Sequence, residues 1–252
     1  MKISRPSPRT GRRSPSPDAP VTALHLLVGT GGAVGEALAQ RLSGPHDIVF
    51  ATSHRTPLPS LAHATPLFWD LDPASSPADN GPELHEIDSV LESASLRSLS
   101  IFSHPSFNRT DSPPDNALEI LPSLSRITRL IDRLRPHLAP GGSLLVFFPS
   151  LSQHRAGGYL AARAWVGALE GIFEEWSRNT TGPAVTGLEM IVAPGLRRPH
   201  LSLEMEARIA SRTSRGRLAS AEEIADFAAW LIHSGSSLFH GQILRTEGGP
   251  YY

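Results

Sequence analysis

The chain has 252 residues, 40% of them hydrophobic, which is enough to bury a full core and is the size of a single large α/β domain. Its net charge of -1 gives no electrostatic reason to expect nucleic acid or an anionic membrane as a partner, and it has no run of about 18 apolar residues that could cross a bilayer. The absence of cysteine excludes disulfide bonds and thiolate metal sites, and it is compatible with the reducing cytoplasm in which we expect the protein.

The first 20 residues differ in composition from the rest of the chain. They combine four arginines with many serines and prolines and offer no apolar face to bury, so we expect residues 1–20 to be a disordered tail and residues 21–252 to form one domain. A targeting peptide is the alternative, because the segment is basic and nearly free of acidic residues. The prolines oppose the amphipathic helix that such a peptide needs, so we favour the disordered tail.

An apolar run that ends in a glycine cluster begins the predicted domain. Residues 26–28 predict a buried strand, Gly29, Gly32 and Gly35 follow it, and a helical apolar period comes next. Glycines spaced in this way allow a tight turn from strand to helix and let the backbone approach a phosphate, whose charge the helix dipole favours. With a second strand at 47–52, the β-α-β unit has the length of about 30 residues that dinucleotide binding needs. A plain glycine turn without a ligand is the alternative.

The residues after the second predicted strand bear on the ribose of such a dinucleotide. A carboxylate there accepts hydrogen bonds from the ribose hydroxyls of NAD, whereas a basic residue suits the 2′-phosphate of NADP. The sequence here is Thr52-Ser53-His54-Arg55, which contains no acid. We therefore predict NADP as the cofactor, with Arg55 on its phosphate; the alternative is that Arg55 is a solvated loop charge.

Strand and helix patterns alternate along the remainder of the chain. Strands are predicted at 66–69, 99–102, 143–148, 185–192 and 242–245, and helices at 84–91, 119–138, 159–177 and from a capping box at 220–223. The arginine-rich stretch 196–217 has only weak helical periodicity and is predicted to be a mobile flap. The alternation predicts a single doubly wound parallel sheet with helices on both faces.

The C-terminal part carries the most specific pattern of the chain. Gly216-Arg217-Leu218 precedes Glu222-Glu223-Ile224-Ala225, and Gly241-Gln242-Ile243-Leu244 precedes Glu247-Gly248-Gly249. In order and spacing this pattern resembles the short-chain dehydrogenase/reductase family, and the resemblance runs from about residue 22 to 252. It implies a Rossmann-type fold and a nicotinamide dinucleotide as cofactor. It also implies further cofactor-binding residues at positions that match the family: Asp70, Pro194 and Gly195.

The resemblance also implies which residues are catalytic. The family pairs its glycine turn with Tyr-x-x-x-Lys, and this chain has Tyr159 and Arg163 at these positions. In such a reductase the tyrosine polarises a carbonyl while hydride arrives from the nicotinamide, and Ser150 is the nearest match to the family's assisting serine. We therefore predict an NADP(H)-dependent oxidoreductase that interconverts a carbonyl and an alcohol on a small apolar molecule. A role in specialised-metabolite biosynthesis follows from family analogy alone.

Arginine in place of lysine changes the predicted chemistry. Lys2 is the only lysine of the chain, so the replacement fits a general drift to arginine as well as a specific loss of catalysis. Arginine keeps the positive charge and lies on the same helix face as Tyr159, but it does not readily lose a proton and cannot relay one to water. Two alternatives therefore stay open: a redox-independent isomerase, dehydratase or cyclase, and a non-catalytic protein that binds a dinucleotide.

Other positions near the predicted site depart from the family pattern. The helical asparagine falls near Ser123, the stretch 103–106 replaces the Asn-Asn-Ala-Gly turn, and Leu196 stands where a threonine is usual. His104 and His154 are predicted on loops at the carboxyl ends of strands, where either could act as a general acid. We favour the interpretation that both are partly exposed loop histidines. No spacing of His, Asp and Glu predicts a metal site.

Assembly is predicted from the two long helices at 119–138 and 159–177, which the resembled family buries between subunits. We expect a homodimer or homotetramer. Outward-facing Trp165 or Trp176 would fit such an interface, and packing of both on the sheet is the alternative. The substrate is expected to be selected by the flap and by loop 149–158.

Overall fold

The computed structural model contains one seven-stranded parallel sheet in the order β3-β2-β1-β4-β5-β6-β7. The doubly wound parallel sheet predicted from the sequence is thereby confirmed. The strands are β1 (Ala23–Val28), β2 (Asp47–Ser53), β3 (Thr65–Phe68), β4 (Leu96–Phe102), β5 (Leu138–Pro149), β6 (Ala184–Met190) and β7 (Ile243–Arg245). The structure describes residues 23–30, 32–44, 47–53, 65–68, 88, 91, 92, 95–102, 113–149, 160–178, 182–190, 204, 207, 210, 211 and 213–246.

Helices cover both faces of this sheet. The helices whose bounds fall within the described residues are α1 (Ala33–Leu42), α2 (Pro113–Leu134), α3 (Leu160–Ser177) and α4 (Ala221–Trp230), with a 3-10 turn at Arg135–His137 and a π-helical turn at Leu231–Gly235. Each helix follows one strand and leads back to the next parallel strand. All four helices therefore run antiparallel to the strands and begin at the carboxyl end of the sheet, the end where the strands finish.

The core consists of two apolar layers, one on each face of the sheet. Ile131 of α2 and Phe173 of α3 belong to the first layer, whereas Leu38 of α1 belongs to the second, which α4 completes. Trp165 and Trp176 are 2% and 4% exposed and both lie in the first layer. The outward orientation of these tryptophans, considered above for a subunit interface, is thus excluded.

β5 is the strand whose start lies furthest ahead of the point that its local pattern indicates. β5 starts at Leu138, ahead of the Pro-Gly-Gly sequence that predicts its beginning, because Leu138 pairs with Leu96 of β4. The next aligned pair is Ser98 with Ser143, so the residues between them bulge out of the ladder. Gly141 takes a φ of 71° in this bulge, a conformation that glycine adopts without strain.

Most of the helix predicted at 84–91 lies outside the described residues. Asp88 and Leu91, which the structure does describe, are helical. None of the helices within the described ranges is long and apolar enough to cross a membrane.

Candidate functional site

The sheet has a topological switch point between β1 and β4. The strand order continues through β2 and β3 on one side and through β5 to β7 on the other, so the connections diverge above these two strands. Open α/β sheets bind ligands in the crevice that such a divergence leaves at the carboxyl ends of the strands. The glycine turn that the sequence predicts as a phosphate site lies at this crevice, because it connects β1 to α1.

Gly29 is required by the backbone at the end of β1. Its φ is 80°, in the left-handed region that favours glycine, and a Cβ at this position would lie 2.7 Å from the carbonyl oxygen of Phe102 at the end of β4. A side chain here would therefore push the ends of β1 and β4 apart.

Gly35 is required by packing in the first turn of α1. A Cβ there would lie 2.7 Å from the Cβ of Thr30 and 2.8 Å from its carbonyl oxygen, and Thr30 is itself buried. The glycine lets α1 begin directly against the turn that leaves β1, the close helix packing expected of the last glycine in a dinucleotide fingerprint.

Gly32 has neither of these reasons to be glycine. It is the exposed N-cap of α1, with a φ of -134° and a ψ of 167°, extended values that any residue adopts. A Cβ at this position would meet nothing within 4 Å. The N-terminal end of α1, where the helix dipole is positive, thus has open space beside Gly32, and a helix end of this kind can bind a phosphate.

A pair of phenylalanines forms the floor below this crevice. Phe102 and Phe147 lie opposite each other at the ends of β4 and β5, with ring centroids 4.1 Å apart and ring planes inclined by 9°. Both rings belong to the core layer shared with α1 and α4. The floor is therefore apolar, and its closely stacked rings leave little freedom to move.

The structure places one predicted catalytic residue at the same end of the sheet. Arg163 lies in the first turn of α3 with its side chain exposed. Among the described residues, no group of three or more His, Asp and Glu side chains could hold a metal ion. The other predicted site residues and alternative acids lie outside the described residues: Ser150, Tyr159, Arg55, Asp70, Pro194, Gly195, His104 and His154.

A charged network surrounds the first turn of α4, also at the carboxyl end. Ser220 Oγ accepts the Glu223 N–H at 3.2 Å and the Glu223 carboxylate accepts the Ser220 N–H at 3.0 Å, which confirms the predicted capping box. The carboxylate also accepts two hydrogen bonds of 2.7 Å from Arg217 and one of 2.7 Å from Arg215. The bonds from Arg217, the Ser220 backbone and Arg215 hold the pKa of Glu223 well below its usual range. The Ser-x-x-Glu spacing predicts the cap, but nothing in the local pattern selects these two arginines as its partners.

His25 is a fully buried polar residue that the sequence analysis did not select. Its Nδ1 lies 2.7 Å from Ser98 Oγ, and the ring of His233 approaches edge-on with centroids 5.9 Å apart. Burial first, then the nearby His233 and Arg97, lowers the pKa of His25 to about 4. In the sequence, a histidine within an apolar strand pattern was the signal that could have identified this residue. His25 lies near the start of β1, at the opposite end from the crevice, so it is not part of the candidate site.

No protein-family model and no curated protein sequence matches the chain. Several solved structures match its fold. A short-chain dehydrogenase family protein from Francisella tularensis has a TM-score of 0.71 at 13% identity, over 90% of this chain and 98% of that one. BdcA in complex with NADPH has a TM-score of 0.70 at 19% identity, over 91% and 95%. The MalC Reductase/Diels-Alderase from Malbranchea aurantiaca has a TM-score of 0.67 at 15% identity, over 89% and 94%.

These likenesses extend over nearly the whole of each chain. The protein therefore has the fold of the short-chain dehydrogenases/reductases, as its sequence resemblance implies. The crevice between β1 and β4 is the place where this type of sheet binds its ligand.

Proposed function

We propose that the chain is a divergent short-chain dehydrogenase/reductase of the cytoplasm that binds NADP(H) at the β1–α1 turn. It interconverts a carbonyl and an alcohol on a small apolar molecule, in specialised-metabolite biosynthesis. The observation that carries the proposal is Gly32. Strain explains Gly29 and packing explains Gly35, but a side chain at Gly32 would meet only open space. A pyrophosphate bound at the amides of α1 gives this position its reason to lack a side chain.

The choice of NADP over NAD rests on Arg55 and on the absence of an acid beside it. A guanidinium can bind the 2′-phosphate through two parallel hydrogen bonds. The NADPH complex of BdcA is a precedent for this cofactor on the same fold. We assign Asp70, Pro194 and Gly195 to the remainder of the cofactor site by their match to the family pattern.

Catalysis falls to Tyr159, Arg163 and Ser150 in this proposal. The nicotinamide supplies or accepts the hydride. The Tyr159 hydroxyl donates a proton to the carbonyl oxygen during reduction, and Ser150 donates a hydrogen bond to the same oxygen. Arg163 stands four residues after Tyr159, where its positive charge stabilises the phenolate that forms. Since arginine does not lose its proton, the phenol regains its own through another group or through water.

The test is a titration of the purified protein with NADPH and NADH, followed by quenching of tryptophan fluorescence. We expect micromolar affinity for NADPH and weaker binding of NADH. Gly32→Glu should abolish binding without loss of stability, because a carboxylate at an N-cap is favourable to the helix but occupies the place of the pyrophosphate. Gln40→Glu introduces the same charge on the exposed far end of α1 and serves as the matched control. Equal binding by both variants would contradict the proposed site.

A redox-independent cyclase is the second candidate, favoured by one observation. A protein titled as both a reductase and a Diels-Alderase shares this fold over 89% of the chain. Such an enzyme would hold its substrate in a reactive shape, with Tyr159 and His154 for any proton movement. Consumption of NADPH during turnover separates the two candidates. A protein that binds NADPH but converts no carbonyl substrate would instead be a dinucleotide-binding protein.

We further propose that two copies associate through α2 and α3. In the middle of α3, between residues 164 and 171, the exposed residues are all small, and the space beside both glycines is open. They are Ala164, Gly167, Ala168 and Gly171. A second helix can approach such a surface closely. Sedimentation should give a dimer or tetramer, and Gly167→Arg should give a folded monomer.

A further inference from the structure

The connection between β6 and α4 begins and ends beside the candidate site. It leaves the sheet at Met190 and enters α4 after Ser220, and both points lie at the carboxyl end. The predicted flap, 196–217, is part of this connection. Within it the structure describes residues 204, 207, 210, 211 and 213–217, which lie immediately before α4.

The described part of this connection is wound into a compact turn. The Thr213 N–H donates to the carbonyl oxygen of Ala210 at 2.9 Å, and the Thr213 hydroxyl lies 3.0 Å from the carbonyl oxygen of Arg217. Gly216 closes the turn with a φ of 66°. Leu218 is then buried in the protein, so the chain is fixed from this residue onward.

Glu223 joins this turn to α4 by charge. Its carboxylate accepts hydrogen bonds from both terminal nitrogens of Arg217 and from one of Arg215. The two arginine side chains are about half exposed, and that of Glu223 is 36% exposed. No other described carboxylate forms an ion pair with either arginine. Removing the charge of Glu223 therefore breaks the ion pairs of both arginines together and leaves Arg217 its 3.1 Å hydrogen bond to the Leu218 carbonyl oxygen.

The network lies at the same end of the sheet as the glycine turn, at the start of a helix that neighbours α1. Both helices begin at the carboxyl end, they share one core layer, and Arg41 of α1 forms an ion pair with Asp226 of α4. The ion pair joins the last turn of α1 to the middle of α4, so the two helices pack side by side along their length. The residues that Glu223 holds therefore lie at the same end of the sheet as the start of α1.

We propose that Glu223 is a positioning residue for the dinucleotide site: by holding Arg215 and Arg217 it fixes residues 213–217 at the carboxyl end of the sheet, and tight dinucleotide binding depends on that fixed position. The coupling to the dinucleotide rests on the proposed function. The ion pairs of Glu223 with Arg215 and Arg217 do not depend on the dinucleotide, and they are tested by a separate measurement.

Two variants distinguish the ion pairs of Glu223 from the helix cap in which it also takes part. Glu223→Gln keeps the capping box, since glutamine also serves at this position, but it removes the charge that holds the arginines. Ser220→Ala removes the hydroxyl of the cap and keeps the carboxylate. Trypsin is a suitable probe because Lys2 is the only lysine, so cleavage in the remainder of the chain occurs only after arginine.

Cleavage after Arg215 and Arg217 is followed by mass spectrometry on the intact unliganded protein. We expect it to be roughly fivefold faster in Glu223→Gln than in the wild type, the factor that corresponds to about 1 kcal/mol. Ser220→Ala should cleave at these two sites at the wild-type rate. Equal cleavage rates in the wild type and Glu223→Gln would contradict the proposal that Glu223 holds the two arginines.

The dissociation constant for NADPH is then measured for the same three proteins. We expect it to rise severalfold in Glu223→Gln, with a thermal unfolding midpoint lowered by only about 2–4 °C, and to stay at the wild-type value in Ser220→Ala. Faster cleavage with an unchanged dissociation constant would overturn the positioning role. A wild type that binds no NADPH would overturn the proposed function and this coupling, whereas the cleavage rates would still decide whether Glu223 holds the arginines.

Discussion

Acid should lower the free energy of unfolding of this protein because the imidazole of His25 is buried. His25→Asn should remove this part of the pH dependence. His25 is fully buried in β1 and its Nδ1 bonds Ser98 Oγ. The asparagine carboxamide can place an oxygen or nitrogen near the position of Nδ1, so the partner of Ser98 is kept while the titratable ring is removed. The variant loses packing at every pH, and what distinguishes it is the slope of its stability against pH.

The size of the effect follows from the shifted pKa. Burial lowers the pKa of His25 from 6.5 to about 4. The pKa of His25 is lower in the folded state than in the unfolded state. The contribution of His25 to stability is therefore complete above pH 6.5 and is lost as the pH falls towards 4, because over this range the unfolded chain binds a proton that the folded protein does not. Between pH 7.5 and pH 4.5 this loss amounts to about 2–3 kcal/mol.

Urea unfolding at these two pH values measures the free energy of unfolding in each protein. Carboxylates contribute to the pH dependence of both, so the quantity of interest is the difference between wild type and His25→Asn. We expect the variant to lose about 2–3 kcal/mol less than the wild type on acidification. His137→Asn, at an exposed histidine, should behave like the wild type. An equal loss in wild type and His25→Asn would refute the reasoning.

Three further outcomes are expected. Gly35→Ala should lower the free energy of unfolding by about 1–3 kcal/mol, because its Cβ would lie 2.7 Å from Thr30, whereas Gly32→Ala should leave stability unchanged; urea unfolding compares the two. NADPH at about 100 times its dissociation constant should stabilise the wild type by about 2.7 kcal/mol, seen as a rise in the unfolding midpoint. Arg163→Lys should raise kcat with an identified carbonyl substrate if proton return to Tyr159 limits turnover, and an unchanged kcat would show that it does not.

Local sequence patterns were sufficient for most of the fold. The apolar run before Gly29 and the period of α1 depend on neighbouring residues only, and the structure confirms both. The start of β5 depends on pairing with Leu96, far away in the sequence, and so leaves no local signal. The same holds for His25, whose partner Ser98 lies on another strand.

The sequence also predicted one part of the candidate site and not another. Glycine spacing predicted the turn, because backbone geometry restricts which residue can stand at Gly29 and Gly35. It could not separate these two from Gly32, since only the surrounding atoms show that a side chain there meets nothing. The roles of Tyr159 and Arg55 stay predictions, as both lie outside the described residues.

The order of the strands also determines how the chain can fold. β1 pairs with β2 and with β4, yet β2 and β3 are made before β4 exists. During synthesis the first β-α-β unit therefore leaves the ribosome with Leu24, Leu26 and Val28 facing a core layer whose helices, α2 and α3, come later in the chain. Non-local parallel pairing of this kind forms slowly. We expect the nascent chain to remain vulnerable to aggregation until α3 has been made, so that chaperone capacity, rather than the stability of the finished sheet, limits the yield of folded protein.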